Sequence, residues 1–147
     1  MLSNTCKYAI RAVIYLAVHA EKDEKIGIKR IAEDLEIPMP FLGKILQNLA
    51  KNKILSSTKG PHGGFGIGKP LDEVSLHEIV EVIDGTDAFE FCVIGLRTCD
   101  DLNEKAVHCS LHEAYLPIRE NLRAIFRNTS ISALAQGIKE GKQNINI

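Results

Sequence analysis

Apolar residues recur at intervals of three and four positions in six separate stretches of the chain, and this spacing predicts six amphipathic helices. Ser75 and Glu78 have the spacing of a capping box at a helix start, and Gly85 is a suitable residue to end that helix. His77, between the two capping residues, is expected at the surface or in the capping region. The predicted helices cover residues 2–20, 28–35, about 38–52, 75–85, 112–128 and 130–136.

A different pattern separates the third helix from the fourth. Residues 54–57 and 65–67 are predicted strands, and the glycine- and proline-rich residues 59–64 form the turn between them. Two helices joined by a tight turn and followed by a β-hairpin make a winged helix-turn-helix. We therefore expect a mainly α fold with a small β-hairpin wing. Residues 1–70 are predicted to form the winged helix, and residues 71–147 a linker helix, a cysteine-bearing segment and a long C-terminal helix.

Charge is divided unevenly along the 147 residues, although the formal net charge is only −1. Residues 1–70 contain 11 Lys and Arg against 6 Asp and Glu, whereas residues 71–147 contain 7 against 13. Residues 38–70 contain five lysines and no acidic residue. A basic first half with an acid-free stretch is typical of a protein that binds a polyanion such as double-stranded DNA, and charge alone leaves a merely solvated basic face as an open alternative. The absence of tryptophan and the few aromatic residues argue against a stacking platform for single strands.

The start of the third helix is predicted to reach base edges in the major groove. Lys44 can donate to guanine or phosphate, Gln47 can pair with adenine, and Phe41 can contact a thymine methyl group. Two alternatives stay open, in which Phe41 packs between helices and Gln47 is an idle surface residue. The predicted contacts on the helices and the wing are Lys29, Met39, Pro40, Phe41, Lys44, Gln47, Lys59, Pro61, His62, Gly63 and Gly64.

The wing is expected to lie at the minor groove, where Lys59 and His62 meet a negative potential and the glycines permit a close approach. One winged helix reads few base pairs, so we expect a homodimer on a pseudo-palindromic operator. The helix over 112–128 has a surplus apolar face and is the predicted dimerisation element. Its predicted dimer contacts are Ile118, Leu122, Ile125 and Phe126.

Three cysteines and a histidine occur within 21 residues of weak periodicity. They are Cys92, Cys99, Cys109 and His112. Three thiolates and an imidazole can hold an iron–sulfur cluster, and zinc accepts the same donors. His108 is a competing ligand, and redox switching by thiols alone or three unrelated cysteines are the alternatives. Cys6 lies on the apolar face of the first helix and is expected in the core.

Other classes of protein receive little support. No apolar run has the length of a membrane span, and the first residues lack the order of a signal peptide, so a cytoplasmic location with reduced thiols is expected. No Gly-rich cofactor loop, Ser–His–acid set or pair of catalytic carboxylates stands out, so we do not expect an enzyme. The alternative from another class is a small iron–sulfur or zinc redox protein.

Together these parts resemble the Rrf2 family of bacterial transcription regulators over about residues 1–136. The resemblance rests on Lys7-Tyr8-Ala9, on the helix-turn-helix from Ile31 to Leu49, and most specifically on two motifs. One motif is the wing, Lys59-Gly60-Pro61-His62-Gly63-Gly64-Phe65. The other is the following segment, Ser75-Leu76-His77-Glu78-Ile79-Val80-Glu81-Val82-Ile83-Asp84-Gly85.

The resemblance implies a winged-helix homodimer in which Cys92, Cys99 and Cys109 hold a [2Fe-2S] or [4Fe-4S] cluster, with His112 as a ligand found in some members. We expect [2Fe-2S] ahead of [4Fe-4S], and zinc is the other metal considered. The resemblance also implies DNA-backbone contacts near Ser3 and Tyr8. The expected function is a repressor that senses iron–sulfur, redox or nitric oxide status; the alternative within the family is a clusterless regulator that responds to a metabolite, thiol oxidation or a protein partner.

Overall fold

A computed structural model describes residues 2–21, 23–94 and 110–142, and it confirms the mainly α fold with a β-hairpin wing. A short 3-10 helix, Thr86–Phe89, follows the fourth α-helix. Within the described ranges, no helix is long and apolar enough to cross a membrane. The elements are α1 (Asn4–His19), α2 (Ile28–Asp34), α3 (Met39–Lys51), β1 (Leu55–Thr58), β2 (Gly64–Ile67), α4 (Leu76–Asp84), α5 (His112–Asn128) and α6 (Ile131–Lys139).

The main core is built around α1, whose apolar residues are buried on more than one side, as predicted. The inner face of α3 is fully buried against it, which places the opposite face of α3 at the surface. Ile79 of α4 and Ile131 and Ala135 of α6 belong to the same core cluster. The core therefore joins residues from both sides of residue 70. The buried residues of α3 are Leu42, Ile45, Leu46 and Leu49.

The wing is fixed to the body of the molecule by the connection between α1 and α2. Strands β1 and β2 are antiparallel, and Phe65 of β2 also exchanges two main-chain hydrogen bonds of 2.9 Å with Ile26. A Cβ atom on Gly64 would lie 2.4 Å from the Ile26 carbonyl oxygen, so a side chain does not fit there. The glycine requirement at this position follows from the close packing of β2 against the connection between α1 and α2.

Three details of the helices differ from the prediction. Glu78 does not serve the helix start: both of its carboxylate oxygens accept from Lys69, at 2.6 and 2.8 Å, while Ser75 caps the helix as predicted. Helix α6 continues through Gly137 to Lys139, because Ile138 packs on the core and stabilises the extra turn. His77 lies in the first turn of α4 but is buried rather than exposed.

The reason for the burial of His77 is a second, smaller apolar cluster. Phe89 of the 3-10 helix packs against Cys6 and Val80 in this cluster. The His77 ring stacks on Phe89, with ring centroids 5.1 Å apart and planes 8° apart, and its Nδ1 lies 3.4 Å from a Glu81 carboxylate oxygen. Residues of α1, α4 and the 3-10 helix are thereby held together just before Cys92.

Candidate DNA-binding surface and sensor segment

The outer face of α3 is exposed and carries the side chains that the sequence predicted for base contacts. Met39 and Phe41 are 48% and 38% exposed at the start of the helix, and Lys44 and Gln47 follow at its exposed positions. The four leucine and isoleucine residues of the opposite face are buried, so the orientation of the helix is fixed by the core. A rigid helix with a free polar face is suited to insertion into the major groove.

Phe41 packs against a neighbouring helix and also stays partly exposed. Its ring lies edge-on to Tyr8 of α1, with ring centroids 5.8 Å apart and planes 87° apart, yet more than a third of the residue remains exposed. Such an edge-to-face contact orients an aromatic ring. The contact also brings Tyr8, predicted near the DNA backbone, next to the first turn of α3.

The wing and α3 line a common concave surface, a pocket with a volume of ≈ 430 Å³. Gln47 and Lys51 line it from the helix, and Lys59 lines it from the turn of the wing, directly after β1. Pro61 and His62, at the tip of the wing, are exposed. Gly63 is required by the turn, since a Cβ atom there would lie 2.2 Å from the Thr58 carbonyl oxygen. The pocket thus brings together Gln47 and Lys59, one predicted contact from the helix and one from the wing.

Two residues predicted to contact DNA, Lys29 and Ser3, already contact acidic side chains. The Lys29 ammonium lies 3.9 Å from the Glu33 carboxylate across one turn of α2, and the Lys29 side chain is 82% exposed. Ser3 caps α1 through a 3.0 Å hydrogen bond from the Cys6 amide, and its hydroxyl donates to Asp84. An exposed pair like that of Lys29 is weak, so this lysine remains accessible to phosphate.

Two of the four candidate metal ligands lie within the described residues. Cys92 is half-buried and follows the 3-10 helix, and His112 is the first residue of α5 and is also half-buried. Cys99 and Cys109, like the competing His108, lie outside the described residues. Within the described ranges, no group of three or more His, Cys, Asp and Glu side chains is placed to hold a metal ion. The donor set itself, three thiolates and one imidazole, suits iron–sulfur or zinc chemistry.

Three residues around the sensor segment were not predicted from the sequence. Arg119 and Arg123 of α5 contact Glu90, two residues before Cys92. The Arg119 guanidinium donates to the Glu90 carbonyl oxygen at 3.3 Å, and Arg123 binds the Glu90 carboxylate. The sequence shows that the two arginines are one helical turn apart on the same face. It does not show their acidic partner, which is 29 and 33 residues away.

The C-terminal end of α4 connects the sensor side of the molecule with the DNA-binding surface. The Asn48 side chain of α3 donates to the Val82 carbonyl oxygen at 3.2 Å. Two residues after Val82, Asp84 accepts from the Ser3 amide at 2.9 Å as well as from its hydroxyl. Helix α4 therefore contacts both α3 and the start of α1, and the 3-10 helix begins two residues after it.

Cys6 has no features of a ligand or a reactive thiol. It is fully buried, as expected, and burial together with the nearby Asp84 carboxylate raises the pKa of its thiol to about 12. A thiol that stays protonated at neutral pH is a poor nucleophile and a poor ligand. Cys6 is a core residue.

Helix α5 has an apolar face that the described residues leave uncovered. Ile118, Leu122 and Ile125 are 62%, 39% and 52% exposed, and they lie on one face because they are spaced by four and three positions. Phe126 points the other way, into the smaller apolar cluster, with its ring 5.3 Å from that of Phe89. Among the described residues, three of the four predicted dimer residues thus remain exposed, and the fourth packs within its own chain.

The winged-helix transcription regulators are defined by a helix-turn-helix with a buried inner face, an exposed, acid-free recognition face and an adjoining hairpin wing. The chain belongs to the Rrf2 family: the family model described as "Iron-dependent Transcriptional regulator" matches residues 2–137. This is a family of transcription regulators and not of enzymes.

Relatives and solved structures agree with the family. The chain is 29% identical over 134 residues to an Aquifex aeolicus protein named "Putative HTH-type transcriptional regulator", covering 91% of this chain and 90% of that protein. It is 23% identical over 133 residues to the regulator IscR of Yersinia pestis, covering 90% of this chain and 77% of IscR.

Among solved structures, CymR, described as the global cysteine regulator of B. subtilis, superposes with a TM-score of 0.73 at 19% identity, covering 92% of this chain and 96% of CymR. T. potens IscR also gives a TM-score of 0.73, at 16% identity, covering 99% of this chain and 93% of that chain. These likenesses confirm the fold.

Proposed function

We propose that this regulator binds a pseudo-palindromic operator as a homodimer, with α3 in the major groove and the wing at the minor groove. The observation that carries this proposal is the single concave surface shared by Gln47 and Lys51 of α3 and Lys59 of the wing. Lysines supply the phosphate contacts that fix register, and the exposed first turns of α3 supply the base contacts. Ser3, Tyr8 and Lys29 are proposed as further contacts to the DNA backbone.

The dimer is proposed to form through α5. Ile118, Leu122 and Ile125 present a continuous apolar face, and burial of such a face against a second copy is favourable at about 25 cal/mol per Å² of apolar area. A two-fold pair of winged helices also matches the symmetry of a pseudo-palindromic site. Phe126 supports α5 from within its own chain rather than at this face.

Cys92, Cys99 and Cys109 are proposed to hold an iron–sulfur cluster, [2Fe-2S] ahead of [4Fe-4S], with His112 as the fourth ligand. The family description as iron-dependent regulators and the donor chemistry of these residues support the proposal. When bound, the cluster supplies a centre whose gain, loss or oxidation changes the contacts around residues 90–112. Only a difference in those contacts between two conformations can alter operator affinity, and we propose that the protein represses in one of them.

The contacts of α4 supply a physical route for this coupling. Phe89 and Glu90 precede Cys92, Asp84 of α4 binds Ser3, and Val82 accepts from Asn48 of α3. A shift of the sensor segment therefore acts on two elements that present DNA-binding residues. The chain's own residues transmit the change by packing and hydrogen bonding.

The test combines spectroscopy with DNA binding on the full chain. Protein purified without oxygen is examined for sulfur-to-iron charge-transfer absorption, with iron and sulfide assayed on the same sample, in the wild type and in Cys92→Ala, Cys99→Ala and Cys109→Ala. We expect colour in the wild type that each variant loses, and operator affinity that depends on the cluster. Cys6→Ala is the matched control and is expected to keep the colour, because Cys6 is a core residue.

A clusterless regulator is the second candidate, because CymR, whose fold this chain shares, is described as a cysteine regulator. The same experiment separates the two candidates. The protein is a clusterless regulator if it stays colourless after cluster reconstitution, binds the operator, and keeps its response in Cys99→Ala. Zinc in place of iron in the metal assay would assign the site to a zinc centre.

A further inference from the structure

Glu90 is held at both its side chain and its main chain by helix α5. The Arg123 guanidinium binds one carboxylate oxygen, and the Arg119 guanidinium lies 3.8 Å from the other. Arg119 also donates to the carbonyl oxygen of Glu90 at 3.3 Å. Two arginines on one carboxylate, with a main-chain contact added, restrict both the position and the orientation of this residue.

The burial of Arg119 shows that this contact belongs to the fold. Arg119 is 4% exposed and is the single buried residue of α5, a helix that the structure describes from end to end. Burial of a guanidinium is costly unless an anion and hydrogen-bond acceptors accompany it. The side chain of Glu90 is 26% exposed and provides that anion. The clamp formed by Glu90, Arg119 and Arg123 thus fixes the segment after the 3-10 helix against α5.

The residue before Glu90 is fixed by aromatic contacts with α4 and α5. Phe89 is 6% exposed, stacks on His77 of α4 and meets Phe126 of α5 at 5.3 Å. Cys92 follows Glu90 by two residues, a distance of at most about 7 Å along the chain. With Phe89 seated in the apolar cluster and Glu90 in the clamp, the direction in which the chain enters Cys92 is set by these two anchors.

We infer that Glu90 is the positioning residue for Cys92, and that it acts through Arg119 and Arg123. This inference rests on the proposed sensor role of Cys92 and deepens it. The clamp holds the Cys92 segment in one place before any ligand binds and joins it to the proposed dimerisation helix. Loss of the clamp frees the segment while leaving the core around α1 and the recognition helix intact.

The first test measures hydrogen exchange of the backbone amides over residues 88–94 in the apo-protein. Glu90→Gln keeps the size of the side chain and removes its charge, and Arg123→Met breaks the same pair from the other side. Each is expected to accelerate exchange in this segment about tenfold, which corresponds to the loss of one net interaction in local opening. The double variant is expected to be no worse than the singles, because both changes remove one interaction.

Glu120→Gln is the matched control for this test. Glu120 also lies near the two arginines, 3.3 Å from Arg123 and 3.8 Å from Arg119, but it belongs to α5 itself and its side chain is 49% exposed. Its neutralisation is expected to leave exchange over residues 88–94 unchanged within about twofold. Equal acceleration by Glu120→Gln and Glu90→Gln would overturn the assignment, because it would then reflect charge near the arginines and not the anchoring of the segment.

The second test measures alkylation of Cys92 in the apo-protein by peptide mass spectrometry, with buried Cys6 as the internal reference. Glu90→Gln removes a negative charge and Arg123→Met a positive one, so a purely electrostatic effect on the thiol would change the two rates in opposite directions. Release of the segment raises both rates, and that is the expected result. Unchanged rates in both variants, with folding verified by circular dichroism, would contradict the inference.

Both tests use the apo-protein, so their outcome is separate from that of the proposed sensor. If the wild type takes up no cluster, the proposed iron–sulfur function fails, while exchange and alkylation still decide whether Glu90 positions Cys92. If the wild type takes up a cluster, Glu90→Gln is also expected to lose it faster than Glu120→Gln does. Equal rates of loss would overturn the role of Glu90 in the sensor.

Discussion

Helices α3 and α5 have similar amphipathic patterns but opposite environments. The four apolar residues on the inner face of α3 are at most 3% exposed, whereas Ile118 and Ile125 of α5 are 62% and 52% exposed. The buried residue of α5 is an arginine, although arginine is usually exposed and isoleucine usually buried. The apolar face of α3 is therefore covered within the chain, whereas the described residues leave an apolar face of α5 exposed.

The largest expected effect comes from charging that face. Ile118→Glu combined with Ile125→Glu is expected to convert the proposed dimer into a monomer and to reduce operator affinity by roughly 10²- to 10⁴-fold, since the second half-site no longer binds as part of one unit. Ala124→Glu, at an exposed position elsewhere on α5, is the control. Sedimentation and fluorescence anisotropy give the two readouts. A dimer that survives the double substitution would place the interface elsewhere.

Truncation of one leucine in each helix sharpens the comparison. Leu46→Ala in α3 creates a cavity in the core and is expected to lower the free energy of unfolding by about 2–5 kcal/mol at any protein concentration. Leu122→Ala in α5, at a residue 39% exposed, is expected to cost an amount that falls as the protein is diluted. Urea unfolding at two protein concentrations measures both. Equal losses of unfolding free energy that do not depend on protein concentration would show that α5, like α3, is covered within its own chain.

Substitutions on the exposed side of the winged helix have an intermediate expected effect. Lys44→Ala is expected to weaken operator binding by about 1–3 kcal/mol and to relax the preference at one base pair. Lys59→Ala is expected to weaken binding uniformly and to reduce the salt dependence by about one counterion. Lys139→Ala, on α6 outside this surface, removes the same charge and controls for it. Fluorescence anisotropy over a salt series distinguishes the two lysines. An equal loss of affinity in Lys139→Ala would show that DNA binding depends on overall positive charge and not on this surface.

The smallest effect is expected from the buried thiol of Cys6 in α1. In the folded state the pKa of Cys6 is raised to about 12, above its ordinary value of 9.0. Between these values the unfolded chain loses the proton and the folded chain keeps it, so stability falls as pH rises from about 9 toward 12. Cys6→Ala is expected to flatten the alkaline slope in thermal unfolding. An unaltered slope would assign it to other groups, of which Tyr15, whose pKa is also raised, is the first to replace, by phenylalanine.

Much of the fold followed from local pattern. The inner face of α3, the hairpin, the cap at Ser75 and the end of α4 at Gly85 were predicted because each depends on neighbours within a few residues. The burial of His77 and the extra turn of α6 were missed because distant packing decides them. Of the residues that line the pocket between α3 and the wing, Gln47 and Lys59 were predicted as DNA contacts, which stays a prediction. The clamp on Glu90 was not predicted, because its members lie 29 and 33 residues apart.

The sequence by itself determined the order of helices and hairpin, the acid-free charge of α3 and the wing, and the set of thiol and imidazole donors. These properties belong to residue types and short spacings. The tertiary structure decided which side of α5 is covered, turning Phe126 inward and leaving Ile118 and Ile125 outward, and it joined Ser3 to Asp84 across 81 residues. The physical reason is that an amphipathic stripe fixes which residues avoid water, while only the packed neighbours decide which surface covers them.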